Sequence, residues 1–82
     1  MSIYLYIKEN CPLCDDAEQL LQLFQDEFAF TLEKRDIYLR DEWLEKYQLE
    51  IPVIEIKDSV LYGNDLNYET LYKVLNKYAE KM

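Results

Sequence analysis

Two cysteines separated by two residues, Cys11-Pro12-Leu13-Cys14, stand where a short apolar run meets a long amphipathic one. That junction, strand then tight turn then helix, constrains the fold more than any other feature of the chain. Residues 2–7 read Ser-Ile-Tyr-Leu-Tyr-Ile. Apolar residues at both odd and even positions are the pattern of a central strand covered on both faces. Beyond the cysteines, Ala17, Leu20, Leu21, Phe24 and Phe28 recur at spacings of three and four, which lines them up on one face of a helix. Pro12 fits the first turn of that helix, where a missing N–H costs nothing.

Over residues 28–36 the period becomes two, with Phe28, Phe30 and Leu32 on one side and Thr31 and Glu33 on the other, predicting a second, half-exposed strand. Residues 40–49 set Trp43, Leu44 and Tyr47 at helical spacing in a charged background, a short helix. Residues 52–56 and 60–62 are apolar runs parted by Lys57-Asp58-Ser59, a hairpin signal. Asn67 then caps a last helix with Leu71, Val74, Leu75 and Tyr78 on its buried face and Glu69 placed to pair with Lys73. The order is βαβ, α, ββα. A leading βαβ unit implies two parallel strands joined by a crossover helix, so the expected class is α/β, a mixed four-stranded sheet flanked by helices. With 82 residues and no repeat, low-complexity tract or linker, the expectation is one domain over residues 1–82.

Seventeen acidic residues against nine basic ones give a formal charge of −8, with no basic run. This argues against nucleic acid, whose phosphates need clustered Lys and Arg, and against an anionic membrane surface. Residues 2–7 lack the basic start, cleavage site and length of an export or membrane signal, so a cytoplasmic location is expected. In that reducing compartment a close cysteine pair is more often catalytic or metal-binding than structural, and the loop it closes is too short to restrict the unfolded chain much. At a helix start, exposed N–H groups and the helix dipole favour a thiolate at Cys11. Cys11 would then attack a disulfide, and Cys14, one turn away, would resolve the mixed disulfide.

Three segments carry a family resemblance: Lys8-Glu9-Asn10-Cys11-Pro12-Leu13-Cys14, then Ile51-Pro52-Val53, and more weakly Tyr62-Gly63-Asn64-Asp65. Together they resemble the glutaredoxin branch of the thioredoxin superfamily, over essentially the whole chain. Cys-Pro-Leu-Cys followed by Asp15 is also similar to a group of short glutaredoxin-like proteins of unassigned function. The resemblance implies a thioredoxin-like fold and a thiol–disulfide oxidoreductase with Cys11 and Cys14 as catalytic residues. It implies a substrate site of Lys8, Pro12, Leu13, Ile51, Pro52, Gly63 and Asp65. Lys8 would meet a glutathione carboxylate, the Ile51 backbone would pair with an extended substrate, and Pro52, if cis, would shape the groove beside Cys11. It further implies a monomer with no metal and no tightly bound cofactor, using glutathione as reductant or substrate, or a protein disulfide as partner.

Structural roles compete for several of these residues. Lys8 reads equally as a solvated charge at a strand end, and Pro52 as the first residue of a strand. Gly63 would permit a positive φ before the last helix, Asp65 would cap that helix with Asn67, and Tyr62 would line the groove beside Gly63. Asp15, Asp16, Glu18, Asp26 and Glu27 occupy the helix after the cysteines with no basic residue among them. Such a field opposes an anionic ligand, which predicts a weaker reaction with glutathione than in glutaredoxins and a protein disulfide as substrate. Two other classes remain open: a metal or iron–sulfur carrier, needing a dimer or external thiols to complete four donors, and an interaction domain in which the dithiol is incidental.

Overall fold

Ser2–Ile7, strand β1, is hydrogen-bonded along both edges and covered on both faces, as its unbroken apolar pattern requires. The computed structural model describes residues 1–81; residue 82, the last of the expected domain, lies outside the described residues. After β1 come α1 (Pro12–Gln25), β2 (Phe28–Ala29), β3 (Thr31–Asp36), a 3-10 turn (Ile37–Leu39) and α2 (Asp41–Tyr47). The hairpin β4 (Val53–Ile56) and β5 (Ser59–Leu61), a second 3-10 turn (Gly63–Asp65), α3 (Tyr68–Tyr78) and β6 (Glu80–Lys81) follow. The main sheet runs β3-β1-β4-β5: β3 lies parallel to β1, β4 antiparallel to β1, and β5 antiparallel to β4. This is the expected α/β class with a mixed four-stranded sheet. Among the described residues no helix is long and apolar enough to cross a membrane.

Alternation along β1 divides the interior. Ile3 and Leu5, with Ile54 and Ile56 of β4, pack against Ala17, Leu21 and Phe24 of α1 and Leu71 and Leu75 of α3. Tyr6 and Val53 point the other way and meet Ile37 and Tyr47, with Trp43 and Leu44 of α2 against them. Helices α1 and α3 thus cover one face, and the short α2 covers the other.

Several local expectations are corrected. The strand expected over residues 28–36 breaks at Phe30: β2 pairs with β6 in a separate two-stranded sheet, and only β3 joins the main one. Thr31 donates to the Met1 carbonyl at 2.8 Å where the main sheet takes over. Phe28 is fully buried, but from β2 rather than from the helix, since α1 ends at Gln25. The hairpin turn is shorter than expected, because Ser59 already pairs with Ile56 and Lys57 turns the chain at φ 52°. Helix α2 stops at Tyr47, where Glu50 N–H bonds back to the Tyr47 carbonyl at 2.8 Å, so Leu49 leaves the helix and is 91% exposed.

On the α2 side the core contains a polar chain. Tyr6 donates its hydroxyl to Glu55 Oε1 at 2.9 Å, and Arg35 donates Nη1 to the Tyr6 oxygen at 3.0 Å and Nε to Glu33 Oε2 at 3.0 Å. The Arg35 guanidinium lies 3.8 Å from the centroid of the Tyr4 ring, so its charge is held over an aromatic face. Burial first, and then the bond to Glu55, pushes the Tyr6 phenol from 10.0 up to about 12. The folded state therefore holds this proton more tightly than the unfolded chain. The stabilisation is complete below pH 10 and is lost as pH rises towards about 12. Urea unfolding across that window should show a loss on the order of 2 kcal/mol that Tyr6→Phe largely removes; equal pH slopes for the two proteins would contradict it.

Candidate active site at the Cys11–Cys14 pair

The chain leaves β1 through Lys8 and Glu9 and reverses at Asn10, whose φ of 56° lies in the left-handed region that asparagine tolerates. Cys11 then becomes the N-cap of α1, with extended φ −120° and ψ 98°, and Pro12 opens the helix. The Cys11 carbonyl accepts from Cys14 N–H and Asp15 N–H at 3.1 Å each, and Cys11 Sγ accepts from Cys14 N–H, also at 3.1 Å. A sulfur therefore takes the place of the usual capping oxygen. The two sulfurs are joined as a disulfide, with Cα atoms 5.2 Å apart. Cys11 is half-buried, whereas Cys14, one turn in, is 3% exposed.

The sheet register brings the other residues to this end. Because β4 is antiparallel to β1 with Tyr6 opposite Val53, the start of β4 lies beside the end of β1. The Ile51–Pro52 peptide bond just before it is cis, and Pro52 is buried. Leu13 from the cysteine turn, Leu49, Glu50 and Ile51 from the approach to β4, and Gly63 and Asn64 line one small cleft of about 90 Å³. Lys8 instead lines a separate depression of about 480 Å³ with Glu9, Asn10, Asp36 and Tyr38. It arrives there because β3 runs parallel to β1 with Asp36 opposite Ile7.

Gly63 does not adopt a positive φ, contrary to expectation. Its lack of a side chain has a different cause: a Cβ there would meet the Ile51 carbonyl oxygen at 3.3 Å and the Glu50 carbonyl oxygen and Pro52 Cδ at 3.4 Å. Gly63 N–H also donates to the Glu50 carbonyl at 3.2 Å, tying the two segments together. The last helix is capped through Asn67, whose Oδ1 accepts from Thr70 N–H at 2.9 Å. The expected second cap, Asp65, is exposed in the 3-10 turn and makes no side-chain bond to that helix end among the described residues. Tyr62 is not among the residues lining the cleft.

Residues 2–76 match the glutaredoxin-like domain family (DUF836). The chain belongs to this family. In three dimensions the glutaredoxin-like chain is also similar to the crystal structure of Plasmodium falciparum thioredoxin, with a TM-score of 0.68 over 99% of this chain and 73% of that one. At 12% sequence identity that likeness is one of fold.

Within this glutaredoxin-like fold, the cleft includes residues that the sequence did not single out for it: Leu49, Glu50 and Asn64. Leu49 carried a weak signal, an aliphatic residue just ahead of Ile51-Pro52 and off the Trp43, Leu44, Tyr47 stripe. Among the described residues no cluster of three or more Cys, His, Asp or Glu forms a metal-sized site, so a carrier would need donors from outside the chain. Since Gly63 touches main chain rather than a flexible side-chain tip, Gly63→Ala should displace the 50–52 segment and cost about 1 kcal/mol, read as a lower denaturation midpoint. An unchanged midpoint would show that the segment yields freely.

Proposed function

We propose that this glutaredoxin-like domain is a thiol–disulfide oxidoreductase in which Cys11 is the nucleophile and Cys14 the resolving thiol. The asymmetry of the pair carries the reading: Cys11 reaches solvent as the helix cap, with its sulfur on a backbone N–H, whereas Cys14 is buried one turn behind. In the dithiol form the same N–H and the dipole of α1 favour a thiolate at Cys11. Cys11 Sγ attacks one sulfur of a substrate disulfide; that S–S bond breaks, and the departing thiolate takes a proton from water. The Cys14 thiolate, its proton lost to solvent, attacks Cys11 Sγ and releases the second substrate thiol, closing the Cys11–Cys14 disulfide. Two electrons have passed to the substrate, and a thiol reductant, glutathione or a protein dithiol, returns them.

The substrate is a protein disulfide or a glutathione mixed disulfide. Ile51, half-buried at the start of the hairpin, would offer backbone bonds to an extended segment in the cleft it shares with Leu13 and Gly63, and Pro12, Pro52 and Asp65 would complete the substrate surface. Lys8 would receive a carboxylate from the side of Asp36. The domain works as a monomer in the cytoplasm, where thiols are kept reduced.

Replacing Cys11 by Ser should lower the rate of disulfide reduction at least about a hundredfold, because no other thiol is positioned to attack. Cys14→Ser should instead accumulate a mixed disulfide through Cys11, and mass spectrometry would identify the attached group. A reduced wild-type protein that fails to reduce any model disulfide would sink the proposal.

A further inference from the structure

Both depressions beside the cysteines are framed by excess negative charge. On the Lys8 side one ammonium faces two carboxylates, Glu9 and Asp36, and Lys8 forms no ion pair among the described residues. On the Ile51 side Glu50 is the one charged residue lining the cleft among the described residues. Directly after Cys14 in the chain, the exposed Asp15 and Asp16 lie in the first turns of α1, also without an ion-pair partner among the described residues. Glu18, further along, is tied to Lys34 of β3 at 3.1 Å and contributes less. The formal charge of −8 extends the same sign over the molecule.

The lip of the cleft has a second property. Leu13, between the cysteines, is 65% exposed and Leu49 is 91% exposed, and both line the same cleft as Ile51. Aliphatic side chains left in water next to an acidic rim suit a partner that is apolar at its centre and basic at its edge. Glutathione offers the opposite: its carboxylates outnumber its ammonium, and it has no large apolar side chain.

We infer that the substrate of this site is an extended segment of another protein whose disulfide-bonded cysteine is flanked by an aliphatic residue and by lysine or arginine. The inference rests on the oxidoreductase reading and narrows its substrate class. The aliphatic residue fills the cleft between Leu13 and Leu49, and the basic residue meets Glu50 of the same cleft. The redox step is the exchange described above, run once from the dithiol, so it requires no further reactant.

The test is single-turnover reduction by the pre-reduced protein of disulfide-linked peptides carrying Leu with Lys, Leu with Glu, or Ala with Lys beside the cysteine, and of oxidised glutathione. Each rate is normalised to that with dithiothreitol, an uncharged dithiol. At low ionic strength the Leu–Lys peptide should lead the Leu–Glu peptide and glutathione by about tenfold. At about 1 M salt, where charges are screened beyond a few ångströms, that lead should fall to about twofold or less. Glu50→Gln should narrow the charge preference, and Leu49→Ser should narrow the lead of the Leu–Lys over the Ala–Lys peptide; both side chains are exposed, so both variants should fold. Glutathione or the Leu–Glu peptide reacting as fast as the Leu–Lys peptide at low salt would overturn the inference while leaving the oxidoreductase intact. No exchange with any of the four would overturn both. A dimer in sedimentation that Leu49→Ser abolishes would assign the lip to a second copy and also overturn it.

Discussion

Pairing of β1 with β3 on one edge and β4 on the other is the interaction on which the rest of the molecule depends. Both faces of β1 are buried, so a slip of one residue would exchange Ile3 and Leu5 with Tyr4 and Tyr6 and spoil both cores at once. The same two registers assemble the site. Parallel pairing carries the end of β3, with Asp36, to the end of β1, and antiparallel pairing carries the start of β4 to the same place. The cysteine turn and the approach to β4 share one cleft there, and Lys8 and Asp36 line a separate depression at the same end of the sheet.

Once the sheet has brought these segments together, the fine geometry rests on small features. Asn10 in the left-handed region turns the chain so that Cys11 caps α1 and Cys14 falls inside it, which makes the two thiols chemically unequal. Gly63 lets the Glu50 and Ile51 carbonyls and the Pro52 ring approach closely and bonds to the Glu50 carbonyl, so the last 3-10 turn holds the hairpin entrance against the cleft. Neither feature would show in a hydrophobic pattern, because neither works by burying side chains.

Charge works in two directions at this site. The dipole and first-turn N–H groups of α1 favour a thiolate, while Asp15 and Asp16 stabilise the helix start and oppose the thiolate at the same time. Selection of cationic partners by such carboxylates, as proposed above, would give up some nucleophile activation. The exposed leucines point the same way, since they offer contact area to a chain segment and little to a small polar thiol.

Much of the fold was legible in the sequence. The three helices follow from period and end signals, because the apolar stripe of each faces a single layer, and the first strand and the hairpin follow from short apolar runs bounded by turn signals. The division of residues 28–36 into β2 and β3 was not legible: pairing of β2 with β6 depends on where the C-terminal segment lies, and alternation is the same in either sheet. The site divides similarly. Residue order alone determined that Cys11 and Cys14 stand at a strand-to-helix junction, with Cys11 just ahead of the helix, since that depends only on neighbours. Only the tertiary structure decided that Lys8 faces Asp36 while Leu13 shares a cleft with Leu49, Ile51 and Gly63, because those juxtapositions are set by strand register across the sheet.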